Sequence, residues 1–190
     1  MPIVPDDKDW TWVLERVCPD CGFEAAAFDP LMARSAIEAN ALRWRELLTD
    51  VRATQRPDDN TWSAAEYACH VRDVYRLYLL RLEMMLYGDG PTFANWDQDE
   101  TAIDESYSEQ QPTDVAGELH AAAGMLSARY ATVSGAQWQR TGFRSDGVAF
   151  TIDSFTRYFV HDPVHHVWDA EQGYLKLGDL WAPPTGRPTA

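Results

Sequence analysis

The stretch Phe159-Val160-His161-Asp162-Pro163-Val164-His165-His166-Val167-Trp168-Asp169 constrains this chain more than any other. Three of the five histidines fall within six residues. His161 and His165 are four apart, so on a helix both imidazoles project from one face, one turn apart, close enough to share a metal ion. Two histidines do not complete a site, so a third ligand must come from another element. Pro163 lies between them. It lacks the N–H that would bond the carbonyl of Phe159, which predicts a kink. His166 points about 100° away from His165, and the kink leaves the choice between those two open.

Four long amphipathic segments supply the framework. The first runs from Asp29, a cap followed by Pro30, to about Val51, with Ile37, Ala41, Trp44, Leu48 and Val51 in one stripe. Ser63-Ala64-Ala65-Glu66 is a capping box that opens a second helix, which stops near Gly88-Asp89-Gly90-Pro91. Tyr67, His70, Val74, Leu77 and Tyr78 share its inward face, so His70 is the third ligand. Residues 91–111 form a long link with room for a short helix at 100–106, and a link of that length is usually functional or buried. Asp97 or Asp99 in it can border a ligand pocket.

The third helix follows Pro112-Thr113, with Val115, Leu119, Ala122, Leu126 and Val133 at helical period. His120 follows Leu119 and is expected to face solvent. Asp146-Gly147 between β-prone runs predicts a small hairpin or extended segment. The last helix starts near Thr151–Ser154 and is expected to end at Gly173. The fold class is therefore all-α, a four-helix bundle with a small hairpin before its last helix. It is one domain: an irregular leader over 1–28, the bundle over 29–175, and a loose tail over 176–190.

Composition narrows the function. A net charge of -14 repels nucleic acid and anionic membranes. No signal peptide pattern and no 18-residue apolar run stand in the chain. Three cysteines make no disulfide framework, which suits a reducing cytoplasm. Cys18-Pro19-Asp20-Cys21-Gly22 resembles half of a metal knuckle, a separate place where Cys18 and Cys21 can hold a metal, although structural zinc wants four ligands. Asp73, Asp162 and Asp169 can hold a ligand ring N–H. Tyr67 and Tyr158 are candidate proton donors. A lone inward histidine is more often a satisfied core residue than a ligand, and an H-x-x-x-H pair alone is a sparse signal.

Trp62-Ser63-x-x-Glu66-Tyr67-x-x-His70-Val71-x-Asp73, taken with His161-x-x-x-His165, resembles the DinB/YfiT-like metalloenzyme superfamily. The CPxCG leader, the N-W-D-Q-D link and the R-S-D-G segment narrow the likeness to actinobacterial members. The resemblance implies a four-helix bundle, a divalent metal (zinc or nickel) on His70, His161 and His165, and frequent homodimers. Relatives include mycothiol-dependent maleylpyruvate isomerase and bacillithiol S-transferases, which implies a small-molecule substrate and mycothiol as a thiol cosubstrate. The expected activity is metal-assisted activation of water or a thiol, by an S-transferase, isomerase or hydrolase. The alternative is a metal- or ligand-binding module without catalysis.

Overall fold

The computed structural model describes residues 9–178, and the tail expected at the C-terminus lies almost wholly outside them. Helix α1 spans Ala33–Leu47, entered through a 3₁₀ turn at Pro30–Met32 that the Asp29 side chain caps at the Leu31 N–H, 3.0 Å. Ile37, Ala41, Trp44 and Leu48 are buried as their spacing predicts, but Val51 is 84% exposed. The helix ends at Leu47 and the chain turns away, so the apolar stripe is one turn shorter than expected.

Helix α2 spans Ala64–Tyr87 and starts on the predicted capping box. The Glu66 carboxylate accepts the Ser63 N–H at 2.9 Å, and Arg56 pairs with the same carboxylate. A cap of this kind contributes about 1 kcal/mol. The link carries a two-residue strand β1 (Thr92–Phe93) and helix α3 (Gln98–Asp104), whose first turn is capped by Asp97. Helix α4 spans Pro112–Tyr130 and buries Val115, Leu119, Ala122 and Leu126.

Strands β2 (Thr141–Arg144) and β3 (Ala149–Thr151) form the expected hairpin. β1 adds to it in parallel, with Thr92 opposite Phe143, a pairing that a two-residue strand does not announce in sequence. Helix α5 runs from Ile152 to Leu177, from a capping box of Thr151 and Ser154 and without interruption at Pro163. The Pro163 carbonyl accepts from Asn40 Nδ2 at 2.8 Å. Gly173 does not stop the helix. It is buried against Pro57, and the stop comes at Gly178, whose φ of +89° a side chain would resist.

α2 and α1 each pack on both α4 and α5, so α1 and α2 face each other across the bundle diagonal. There the Tyr75 hydroxyl donates to Asn40 Oδ1 at 2.6 Å. Tyr78 meets Phe155 and Phe159, while His70 meets residues 162 and 166, so α2 and α5 run antiparallel. α1 and α5 run parallel: Asn40 reaches Pro163, Arg43 reaches Glu171, and Tyr174 bonds the Leu47 carbonyl. No helix among the described residues is long and apolar enough to cross a membrane.

Candidate metal centres

Consecutive residues on a helix are about 100° apart, so the pairs 161/165 and 162/166 form two parallel ladders on α5 facing different neighbours. The stripe Phe155, Phe159, Asp162, His166, Ala170 continues the bundle-facing side of the helix. Phe155 and Phe159 pack on Tyr78 of α2, and two turns earlier on α2 lies His70. His70, Asp162 and His166 thus come together, and their donor atoms lie within 4.8 Å of one another. The other ladder faces the leader. His161 and His165 meet Cys18 and Cys21, again with four donor atoms within 4.8 Å.

The structure therefore places the three expected ligands in two groups. His70 is in one, His161 and His165 in the other, and the Cys18/Cys21 pair joins the second rather than standing as a separate knuckle. Of the residues grouped with His70, the sequence offers His166 only as the alternative to His165, and Asp162 only as support for a ligand ring. The signal was available: Asp162 and His166 fall on the heptad-like continuation of Phe155 and Phe159, the apolar side of the helix.

His70 is fully buried between two indoles, with Trp62 at 5.6 Å and Trp96 at 5.2 Å between ring centroids. Neither of its ring nitrogens has a hydrogen-bond partner among the described residues, and neither does Asp162 Oδ1. Orphaned buried polar atoms are costly, of order 1–3 kcal/mol each, unless something else satisfies them. His70 Nε2 lies 3.5 Å from Asp162 Oδ1, and His166 Nε2 lies 3.9 Å from Asp162 Oδ2. Two ligands at tetrahedral zinc are separated by about 3.4 Å, so a metal fits with a small contraction.

Asp169 Oδ2 accepts from His166 Nδ1 at 2.9 Å. That fixes the proton on Nδ1 and leaves the Nε2 lone pair toward Asp162. The same carboxylate oxygen lies 3.7 Å from His165 Nε2, so Asp169 touches both groups. Asp73 supports neither. It is held by Arg72, Arg76 and the Tyr107 hydroxyl, the last at 2.7 Å.

Electrostatics favours donors. Burial lowers His70, against the pull of Asp162, and burial with the neighbouring His165 lowers His161 to about 4. These imidazoles are neutral at pH 7, with lone pairs available. Burial opposes ionisation of Asp162, but the facing His70 and His166 outweigh it and hold the carboxyl below its usual range. Burial pushes the Cys21 thiol up to about 12, with the Phe23 backbone N–H acting in the opposite sense and Cys18 adding to the rise. A thiolate there needs a cation beside it.

A cleft of about 720 Å³ opens over this end of the bundle. Asp162, His161, His165 and His166 reach it, as do Trp10, Phe93, Trp96, Phe150 and Tyr158. Asp97 and Asp99 both border it. Of the two candidate tyrosines, Tyr158 lines the cleft, while Tyr67 stacks on His166 at 5.1 Å. Arg81 also lines it. Its Nε has no hydrogen-bond partner among the described residues, and its Nη2 donates to the Ala94 carbonyl at 2.8 Å.

Comparison with known proteins agrees with this architecture. In fold the chain is similar to YfiT from Bacillus subtilis, described as a probable metal-dependent hydrolase with an unusual four-helix bundle topology. The TM-score is 0.68 at 15% identity, over 86% of this chain and 91% of that one. It is also similar to the mycothiol-dependent maleylpyruvate isomerase, with a TM-score of 0.61 at 9% identity, over 77% of this chain and 62% of that one. The chain thus spans less than two thirds of the isomerase, and at these identities the likeness is one of fold. No curated sequence matches the chain. The sequence model of the DinB superfamily matches residues 35–170, from the first turn of α1 to just beyond the histidine-bearing part of α5. The chain is a member of the DinB superfamily.

Proposed function

We propose that the protein is a metal-dependent enzyme whose reactive metal, zinc or nickel, is held by His70, Asp162 and His166. The observation that carries this reading is the buried His70 ring facing Asp162 Oδ1 at 3.5 Å beside the cleft, with no hydrogen-bond partner for the ring nitrogens or for that oxygen among the described residues. Three protein ligands leave coordination positions open, as catalytic zinc requires. A divalent metal bound there supplies a Lewis acid, able to polarise an electrophile and to acidify a water or a thiol.

The chain's own residues set what can bind. The cleft volume suits a small molecule. Trp10, Phe93, Trp96 and Phe150 offer apolar walls, and Arg81 offers a guanidinium with no carboxylate partner among the described residues. That combination fits a small electrophile bearing an anionic group. Burial raises the Tyr158 hydroxyl above its ordinary value, so it keeps its proton and can donate it at the cleft wall. Asp169 orients His166. The isomerase with a similar fold depends on mycothiol and YfiT is described as a hydrolase, which supports a thiol or water as the second reactant.

The test is metal content and turnover of untagged protein, wild type beside His70→Ala. The variant is expected to lose about one metal equivalent and all hydrolysis or mycothiol transfer. Unchanged metal content in His70→Ala would sink the assignment.

A further inference from the structure

We propose that Cys18, Cys21, His161 and His165 form a closed four-ligand zinc site that staples the N-terminal leader to α5 and fixes one wall of the cleft. It stands apart from the reading of His70, Asp162 and His166, and either can fail without the other.

The geometry is that of a tetrahedral site before contraction. Zn–S near 2.3 Å and Zn–N near 2.05 Å at a tetrahedral angle place sulfur and nitrogen about 3.6 Å apart. Cys18 Sγ lies 3.5 Å from His165 Nδ1. Cys18 is 1% exposed and His161 4% exposed, and His161 Nε2 has no hydrogen-bond partner among the described residues. All three cysteines are free thiols. The turn is shaped for a knuckle: Gly22 N–H returns to the Cys18 carbonyl at 3.0 Å, with Gly22 at φ +75°, and Cys18 N–H bonds the Phe23 carbonyl at 2.9 Å. Two thiolates and two imidazoles suit zinc. In a two-iron cluster with the same ligands, cysteines and histidines sit on different irons, which a 3.5 Å sulfur–nitrogen approach does not allow.

Four protein ligands leave no open position, so this centre is structural. It acts on the leader. Residues 9–28 hold only a 3₁₀ segment, Trp10–Leu14, and little regular backbone bonding of their own. Trp10 packs on His161 and His165 at 5.6 and 5.4 Å, and Phe23 on His161 at 5.9 Å. Arg157, one turn before His161 on α5, donates to the Ala25 carbonyl at 2.8 Å. Asp9 and Trp10 line the cleft, so the staple sets the position of that wall.

The experiment compares untagged wild type with Cys18→Ser/Cys21→Ser and with His70→Ala. The double variant is expected to lose about one zinc equivalent and to melt at least about 6 °C lower, with the leader newly open to limited proteolysis. Cobalt-substituted wild type and His70→Ala should both show thiolate-to-cobalt charge transfer, and the double variant should not. In native wild type, Cys18 and Cys21 should resist alkylation until a chelator is added. Unchanged zinc in the double variant overturns the proposal, as does a Cys18–Cys21 disulfide in freshly purified protein. If the double variant does not fold, the wild-type cobalt spectrum and alkylation decide: no thiolate band, or immediate alkylation, overturns it.

Discussion

The two ladders on α5 have the same spacing and opposite surroundings. Asp162 and His166 look into the bundle, where α2 brings His70 under two indoles. His161 and His165 look outward, where the leader brings two thiols. One residue of offset, a rotation of about 100°, separates an oxygen–nitrogen donor set from a sulfur–nitrogen one. The hard, three-residue set reaches its third member through a rigid helix pair. The soft, four-residue set reaches its last two members through a segment with almost no secondary structure. Donor class and rigidity therefore change together, although both sets hang from one rod.

That contrast can be broken hardest at Phe159, which is fully buried against Tyr75, Tyr78 and Tyr130 on the bundle-facing stripe. Phe159→Ala is expected to lower stability by about 3–5 kcal/mol in denaturant melts. If the leader set is independent of bundle packing, its cobalt–thiolate band survives below the unfolding transition. Asp169 touches both sets. Asp169→Asn should weaken metal affinity about 10- to 100-fold, measured by competition with a chelator, with the larger loss at the His70 centre. An effect confined to the cysteine centre would reverse the roles of the two sets.

Smaller effects sharpen the boundary. Asp73→Asn leaves Arg72 short of one partner and should cost about 1–2 kcal/mol of stability while metal affinity stays unchanged. A fall in affinity would return Asp73 to the support of His70. Ser63→Ala removes one cap hydroxyl from α2 and should cost about 1 kcal/mol, with both metal equivalents retained.

The helices were legible because their start signals are local. Ser63 with Glu66, Thr151 with Ser154, and Pro30 and Pro112 each satisfy or remove amide donors within one turn. Ends were less legible. Gly173 looks like a stop, but the helix runs through it, buried beside Pro57, to Leu177. The chain beyond Leu47 turns for reasons that no stripe of apolar residues reveals. The histidines were legible as donors and not as groups. Spacing along one helix identifies which side chains share a face, whereas the azimuth of that face is fixed by Tyr78 against Phe155 and Phe159, a contact between residues about 80 apart. Asp162 was read as support for its neighbour because adjacency in sequence is visible and adjacency across the bundle is not.

The indoles stacked on the ligand rings have an optical consequence. Trp10 lies against His161 and His165, and Trp96 lies flat on His70, 14° from parallel. Each donor set thus carries its own chromophore at contact distance. A quenching ion such as cobalt or nickel darkens the indole beside whichever set it enters. Trp10→Phe and Trp96→Phe remove one reporter each, so difference emission between them and the parent resolves the order in which the two sets fill.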